Sequence, residues 1–445
     1  MVGIAMGIVF FCEMIRLGGF TQAFVAFDGD EEIGKHTTFY LSLLLGLIIT
    51  VLIFFGSSFA ESIFKLPQLS AILKVLALTQ LFDSLRIVPL AMLLRQEKLK
   101  EKALAEGIPF IISAVAAVVI ALQLPPDDRI WSLVAMYLIR YVGLSVFSLM
   151  YSPYLPRLMF DGSTAKIITK RGMGILFSNI PSSSLENLNV LIIGKRIGEF
   201  GTGLFRMAWN INVPTGVIGH AANWTLFRPL AVASKEPEKF NDIFLRAFKA
   251  LFLLASAFHV WIILIANDLI PLLLGNQWLS AIVPLQWLCG AMLARNLTYI
   301  STNAQLAANR SSHAASVWWS TLIIGLLLLA VLPVEINDAV VPSQITFGFY
   351  VYACILSLIL CSRCFHIRFT EIISSLFPAL VTIGLSGGVV FVLLYLDIFE
   401  HGFSRLFMLS LIYLLVFLPI CGKMMGMGYL SLFRKSGWKD LLKAT

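Results

Sequence analysis

Apolar runs of about twenty residues follow one another along almost the whole 445-residue chain, separated by short polar stretches. A helix needs roughly twenty mainly apolar residues to cross the hydrocarbon core of a bilayer, and an open sheet cannot cross it. The sequence therefore predicts an all-α polytopic membrane protein. We expect thirteen spans, at 1–27, 37–60, 68–93, 104–123, 130–152, 172–193, 201–227, 250–267, 280–304, 314–333, 344–361, 372–396 and 403–421.

Composition excludes a soluble chain of this length. Hydrophobic residues make up 58% and charged residues 13%, about half the charged fraction of a globular protein. The first apolar run lacks a basic start and a convincing small-residue cleavage site, so we interpret it as a span and not as a signal peptide. The net charge of +8 lies mostly in short loops, so we expect no nucleic-acid partner.

The distribution of basic residues predicts the orientation. The loops 28–36, 94–103, 153–171, 228–249, 305–313 and 362–371 and the tail 422–445 hold 22 lysines and arginines. The opposite side holds 5, including Arg405 at the start of the last span. Because basic loops stay in the cytoplasm, we expect the C-terminus on the cytoplasmic side of the membrane and Met1 on the opposite side.

An internal repeat predicts two bundles. The tetrad LSAI occurs at 69–72 and at 279–282, each time after a short loop and at the start of a span. Six spans separate the copies, so the two halves share an orientation, as in transporters built from parallel repeats. We expect bundles at 1–160 and 161–365, followed by two extra helices and a basic cytoplasmic tail at 366–445.

The repeat also predicts a helix that the sequence does not contain. Three spans precede the second tetrad within its half and two precede the first, so we expect one further helix upstream of Met1. Without it, the first bundle of a fourteen-helix plan is incomplete, which leaves the activity of the chain open. The alternative is a thirteen-span protein with an external N-terminus, and the reading frame upstream of Met1 distinguishes the two.

Three stretches carry a family resemblance: NLNVLIIGKRIG at 187–198, GTGLFRMAWNINVPTGVIGHAANWTLFRPLAVASKEPEKFNDIFLRAFK at 201–249, and LLGNQWLSAIVPLQWL at 273–288. In order and spacing they resemble the oligosaccharide flippase, or polysaccharide transporter, family (Wzx-type) of the multidrug/oligosaccharidyl-lipid/polysaccharide (MOP) superfamily. The resemblance covers most of 1–310. It implies two six-helix lobes plus two extra helices, as in MATE-like proteins. Many relatives carry an aspartate where this chain has Asn189.

Within the predicted spans, basic residues outnumber acidic ones, which favours a water-filled cavity that receives anions. Glu13 and Arg16 are three residues apart and share a helix face, as do Asp83 and Arg86. Asn179, Ser182, Glu186 and Asn189 form one polar stripe. We expect seven residues to line the cavity: Arg16, Arg86, Arg206, Glu186, Asn189, Asn179 and Asn210. Possible coupling or ion-pair residues are Glu13, Asp83 and Glu186.

Less specific interpretations stay open for these charges. Glu13–Arg16 and Asp83–Arg86 are equally well explained as local ion pairs, and Lys74, Arg140 and Arg295 as side chains that reach an interface. Six cysteines, including Cys361 and Cys364 in a lone CxxC, give no disulfide or metal framework. We expect no metal and no cofactor.

The resemblance implies a flippase for polyprenyl-pyrophosphate-linked oligosaccharide, the repeat unit of O-antigen, capsule or exopolysaccharide. Arg16, Arg86 and Arg206 would contact pyrophosphate or acidic sugar, since a planar guanidinium suits phosphate. Alternatives are another superfamily substrate, such as a lipid-linked peptidoglycan precursor or an organic cation, a membrane glycosyltransferase, or an assembly scaffold. We expect no enzyme, since no phosphate loop or paired histidine ligands occur. Expected partners are the lipid-linked substrate, membrane lipids and polysaccharide polymerase or assembly proteins, around a monomer.

Overall fold

The structure, a computed structural model, describes residues 5, 8–9, 12, 19–64, 67–331, 339–399 and 402–424. Side chains are not described at 64, 127, 186–191, 195, 199, 217–218, 220–223 and 423–424. Over the described residues the regular secondary structure is all helical, with no strand, which confirms the all-α class. Nine helices in this part are long and apolar enough to span a membrane. The predicted total of thirteen spans stays a prediction.

The chain divides into two compact units, residues 1–180 and 181–445. The first unit contains six helices within its described residues and the start of a seventh: α1 Phe20–Val25, α2 Glu31–Phe64, α3 Leu69–Leu85, α4 Ile87–Arg95, α5 Leu99–Gln123, α6 Ile130–Tyr151 and the beginning of α7 Gly162–Ala233. The second unit contains the rest of α7, then α8 Pro237–Leu274, α9 Ile282–Ala307, α10 Ser311–Ala330, α11 Val340–Phe365, α12 Phe369–Tyr395 and α13 Phe403–Met424.

Helix packing follows the same order in both units. In the first, α2 packs on α3, α3 on α6, and α5 on α6; in the second, α8 packs on α9, α9 on α11, and α10 on α11. The first LSAI tetrad begins α3, and the second ends at Ile282, the first residue of α9. The two tetrads therefore occupy equivalent places in this order. Two similar bundles, as the repeat predicts, therefore describe the fold.

α7 combines two predicted spans, 172–193 and 201–227, in one element with a kink at Gly198. Gly198 has φ 72° and ψ −177°, a backbone conformation that side chains other than glycine rarely adopt. The boundary between the units falls elsewhere in the same element, between Ile180 and Pro181.

The single predicted span 68–93 is divided, because α3 ends at Leu85 and α4 begins at Ile87. Pro89 has no N–H, so the carbonyl four residues earlier, at Leu85, loses its helical donor. Neighbouring helices donate to the carbonyls just before the break. The Ser42 hydroxyl donates to the Ser84 carbonyl at 3.3 Å and the Ser145 hydroxyl donates to the Phe82 carbonyl.

Two arginines hold the C-terminal end of the short helix α1. Arg95 Nη1 donates to the carbonyls of Phe24 at 2.7 Å and Phe27 at 2.9 Å, and Arg171 Nη1 donates to the Ala26 carbonyl at 3.1 Å. The last carbonyls of a helix have no internal donor, and cations are favourable at this end of its dipole. Arg95, the last residue of α4, and Arg171, in the third turn of α7, therefore fix α1 in the first unit.

The two last helices belong to the second unit, where α12 and α13 pack on α8. Arg405 pairs with Asp268 at 3.3 Å and with Asp397 at 2.6 Å. Farther along α13, Ser410 Oγ accepts a hydrogen bond from Trp261 Nε1 at 3.0 Å, and Tyr413 donates to the Ala257 carbonyl at 2.9 Å. Polar contacts thus join α13 to α8 along several turns.

Candidate functional site

Arg86 lies at the break between α3 and α4 and is shared by two carboxylates. Arg86 Nε pairs with Asp83 Oδ1, and Arg86 Nη1 lies 3.7 Å from Glu106 Oε1 on α5. The Asp83 side chain is fully buried and that of Arg86 is 12% exposed. Lys102 Nζ lies 2.7 Å from the other oxygen of Glu106. A phosphate that binds Arg86 must therefore compete with carboxylates already in place.

Glu106 was not singled out from the sequence, although it lies in the predicted span 104–123. The available signal was its spacing of four residues from Lys102, which places both side chains on one face of α5. The distance in sequence between Glu106 and Arg86 gave no such signal, because only the packing of the first unit brings the two together.

Arg206 and Asn210 lie one turn apart on α7, and both are exposed. They belong to the second unit. Exposed polar side chains on a helix at membrane depth are costly against lipid and are usually found where water or a polar ligand reaches them. Asn179 is also exposed on α7 but belongs to the first unit.

The remaining predicted site residues lie outside what the structure describes. Glu13 and Arg16 fall outside the described residues altogether. The backbone of Glu186 and Asn189 lies in α7, but their side chains are not described. The structure therefore pairs Asp83 with Arg86 and places Arg206 one turn before Asn210 on α7, and the rest of the predicted cavity stays a prediction.

Arg295 on α9 occupies an aromatic environment in the second unit. Its guanidinium carbon lies 5.8 Å from the centroid of the Trp209 ring and 5.0 Å from that of Tyr299. Arg295 is only 6% exposed, and Tyr299 packs in turn on Trp318 at 4.8 Å. An arginine over ring faces is stabilised by the ring quadrupole. This arrangement does not fit the interfacial interpretation of Arg295.

Two other cations of the predicted spans also lie over rings, both in the first unit. Lys74 Nζ is 5.6 Å from the centroid of Phe54, and the guanidinium of Arg140 is 5.1 Å from that of Phe110. For Arg295, one of the two ring contacts could be predicted from the sequence, because Tyr299 lies four residues later on the same helix face.

Buried polar groups connect α7, α8 and α9 near Arg295. Cys289 Sγ donates to Asn212 Oδ1 at 3.2 Å, and Thr215 Oγ1 lies 3.2 Å from His259 Nε2. His259 Nδ1 donates to the Ala255 carbonyl at 2.7 Å, which fixes the tautomer in which Nε2 accepts. These contacts hold the helix that carries Arg206 and Asn210 against its neighbours in the second unit.

Solved structures with similar folds are transporters. One is titled an outward-facing multidrug resistance MATE family transporter of the MOP superfamily; it has a TM-score of 0.65 and 16% identity over 83% of this chain and 88% of that one. Another is the lipid II flippase MurJ in an inward closed conformation, with a TM-score of 0.61 and 14% identity over 97% of this chain and 92% of that one. The likeness shows that this chain has the fold of these MATE and MurJ structures, and its long apolar helices make it a multi-pass membrane protein.

A family model described as "Polysaccharide biosynthesis protein" matches residues 1–283, and the chain belongs to that family. A curated relative is the succinoglycan biosynthesis transport protein ExoT of Rhizobium meliloti, which is 22% identical over 329 residues, covering 72% of this chain. The alignment spans 64% of ExoT. The chain thus spans less than two thirds of the length of the curated relatives that it matches.

Proposed function

We propose that this protein is a flippase that moves a polyprenyl-pyrophosphate-linked oligosaccharide across the bacterial cytoplasmic membrane by alternating access. The observation that carries the proposal is the match of residues 1–283 to a polysaccharide biosynthesis family, in a chain whose fold resembles MATE and MurJ structures. The name of ExoT, a succinoglycan biosynthesis transport protein, supports transport of a glycan in place of its synthesis.

A protein is needed because the head group of such a lipid cannot cross hydrocarbon unaided. Its hydroxyls and phosphates would lose their water partners, at several kilocalories per mole each. A polar cavity provides substitute partners while the polyprenyl tail stays in the bilayer. Rocking of two bundles then exposes the head group to one side and then to the other.

Arg16, Arg86 and Arg206 are the proposed contacts to pyrophosphate or acidic sugar, with Asn179, Asn189 and Asn210 as hydrogen-bonding partners. Arg86 enters this role by exchange. Its ion pairs with Asp83 and Glu106 neutralise it without substrate, and a phosphate with paired acceptor oxygens replaces one of them. Glu186 is the proposed coupling residue, because a desolvated carboxylate takes up a proton more readily.

The proposal also covers the topology, the oligomeric state and the partners of the protein. The C-terminus lies in the cytoplasm, the protein acts as a monomer, and polysaccharide polymerase or assembly proteins are its partners. We assign it no catalytic step.

A deletion strain of the source bacterium tests the function. Without the gene, we expect lipid-linked oligosaccharide to accumulate on the cytoplasmic leaflet, where an added periplasmic glycosidase cannot reach it. The wild-type gene should restore its exposure to that glycosidase. Restored drug-cation efflux with no change in the lipid-linked pool would instead indicate a different superfamily substrate and overturn the proposal.

Alanine and lysine variants test the arginines. Arg16→Ala, Arg86→Ala and Arg206→Ala should each reduce glycan export at normal membrane levels, with smaller losses for lysine. Arg246→Ala is the matched control, because Arg246 is an exposed arginine of the second unit that pairs with Asp242 at 2.7 Å. Unchanged export in all three alanine variants would remove the arginine assignment and leave the flippase proposal standing.

A further inference from the structure

The connection between α6 and α7, residues 152–161, exposes large apolar side chains outside any helix. Leu155 is 85% exposed, Leu158 96% and Phe160 60%. Most exposed apolar side chains of a membrane protein lie on its spanning helices, where lipid covers them. Side chains this exposed on a loop need a different cover, because leaving them in water is unfavourable.

The backbone of this connection is held in place, so the exposed side chains cannot turn inward together. Tyr154 is buried, and its hydroxyl lies 2.8 Å from His36 Nδ1 on α2. The Arg157 N–H donates to the same nitrogen at 3.1 Å, and the Arg157 carbonyl accepts a hydrogen bond from Tyr40 at 3.1 Å. Burial raises the pKa of Tyr154, so the hydroxyl keeps its proton.

A second anchor lies at the other end of the connection. The Asp161 N–H donates to Thr37 Oγ1 at 3.2 Å, and Asp161 Oδ2 accepts from the Thr164 N–H at 2.7 Å. Asp161 thereby caps α7. Hydrogen bonds from Ser163 and Thr164 hold the pKa of this carboxyl low, at about 2. The carboxylate therefore stays ionised and offsets one of the basic charges nearby.

These anchors place the connection at the edge of the bilayer. Its contacts on α2 are residues 36–40, at the beginning of a strongly apolar span, and α6 ends its own span at Tyr151. Tyr40, Tyr151 and Tyr154 therefore form a small group of tyrosines at a span end, a position that tyrosine prefers at membrane–water interfaces.

Charge completes an amphipathic surface. Arg157, Lys166 and Lys170 are exposed, and Ile167, 56% exposed, lies on α7 between the two lysines. The same face of α7 continues with Met173 and Phe177, each more than half exposed. Basic residues beside large apolar ones are typical of segments that lie in the headgroup region of an anionic leaflet.

We propose that the surface formed by Leu155, Leu158, Phe160 and Ile167 with Arg157, Lys166 and Lys170 binds the anionic lipid surface of the cytoplasmic leaflet. The four apolar side chains enter the boundary between headgroups and acyl chains, and the three cations contact lipid phosphates. The rigid backbone presents them without a further ordering step. A water-soluble protein partner fits less well, because the surface begins where two spans end and continues onto the outward face of α7.

A fluorescent probe at Leu158 tests the apolar part. Leu158→Cys, in a background with the six native cysteines replaced, is labelled with an environment-sensitive dye and reconstituted into vesicles of phosphatidylethanolamine and phosphatidylglycerol. We expect blue-shifted emission and roughly twofold stronger quenching by shallow nitroxide lipids than at a matched polar site. That control is Gln96→Cys, exposed in the α4–α5 connection on the same predicted side.

A second measurement retains the native cysteines and changes surface residues only. Native mass spectrometry compares retained phosphatidylglycerol in the wild type and in the variant Arg157→Gln, Lys166→Gln, Lys170→Gln, with Lys98→Gln, Lys100→Gln as control. We expect the triple variant alone to lose bound anionic lipid. Equal retention overturns the role of the cations. A Leu158 probe that stays in water in vesicles, or becomes shielded only when cytosolic protein is added, overturns lipid binding.

Discussion

The two repeat-related segments, α3–α4 in the first unit and α9 in the second, each carry a largely buried arginine, and the contacts that stabilise it differ. Arg86 lies at a helix break and pairs with Asp83 and Glu106. Arg295 lies one residue out of register in the repeat, in an unbroken helix, over the rings of Trp209 and Tyr299. Positions one residue apart in the repeat thus contact carboxylates in one unit and aromatic faces in the other.

The difference has a physical consequence for each charge. A carboxylate that pairs with Arg86 can be exchanged for another anion, whereas the contact of Arg295 with ring faces depends on the planar shape of its guanidinium. We therefore expect the stability of the first unit to depend on the carboxylate partners of Arg86. The stability of the second unit should depend on the planar side chain of Arg295.

Removing the buried carboxylate should have the largest effect. Asp83→Ala leaves the guanidinium of Arg86 in a largely buried site without its main counter-ion, so we expect about 3–5 kcal/mol of destabilisation. Thermal unfolding in detergent measures it. The double variant Asp83→Ala, Arg86→Met should recover part of the loss; an equally unstable double variant would show that the pairing is not the cause.

The second-largest effect is expected at a glycine where α2 packs on α3, the first of the two repeat-related segments. A Cβ at Gly46 on α2 would lie 1.9 Å from Ser84 Oγ on α3, whereas one at Gly56, farther along α2, would meet nothing within 4 Å. Gly46→Ala should cost about 1–3 kcal/mol through overpacking. Gly56→Ala is the matched control and should stabilise by up to about 1 kcal/mol through helix propensity.

The corresponding change on α9 should be milder. A Cβ at Gly290 would lie 2.8 Å from the Phe347 ring, which can turn aside. We expect a smaller drop in melting temperature for Gly290→Ala than for Gly46→Ala. The reverse order would show that α9 is the more tightly packed segment.

The third-largest loss of stability is expected when the planar guanidinium of Arg295 is replaced by the ammonium group of lysine. Arg295→Lys keeps the charge but loses stacking on Trp209 and Tyr299, at about 0.5–2 kcal/mol. Combined with Trp209→Leu in a double-mutant cycle, the two losses should be less than additive. Additive losses would mean that Arg295 and Trp209 do not interact.

The smallest effect concerns the more exposed carboxylate. Glu106 is 37% exposed and lies 3.7 Å from Arg86, so Glu106→Gln should change stability by less than about 1 kcal/mol. Unfolding at low and high salt measures the contribution. A loss comparable to that of Asp83→Ala would make Glu106, and not Asp83, the main partner of Arg86.

Much of the fold could be predicted from the sequence because bilayer physics leaves few choices. Apolar run lengths define helices, and within the described residues each predicted span from 37 onwards lies mainly in helix, with 68–93 divided at Arg86. Helix breaks were less predictable. The division at Arg86 follows from Pro89 together with donors on α2 and α6, and the kink at Gly198 depends on a backbone conformation that glycine permits and does not require.

The site was less predictable than the fold. Asp83 and Arg86 could be paired because three residues separate them, and a spacing of four links Arg206 to Asn210. The contacts of Arg86 with Glu106 and of Arg295 with Trp209 join residues distant in sequence, and a single sequence gives no signal for such pairs. The roles of the predicted cavity residues stay predictions.

The arginines that hold the end of α1 bear on how the protein is made. Arg95 lies 71 residues after Phe24, and Arg171 lies 145 residues after Ala26. At roughly 5–20 residues per second, the ribosome adds Arg171 about 7–30 s after the carbonyl that it will meet. During that interval the end of α1 must rely on water or headgroups, so correct placement of this early helix is completed only when later segments have entered the membrane.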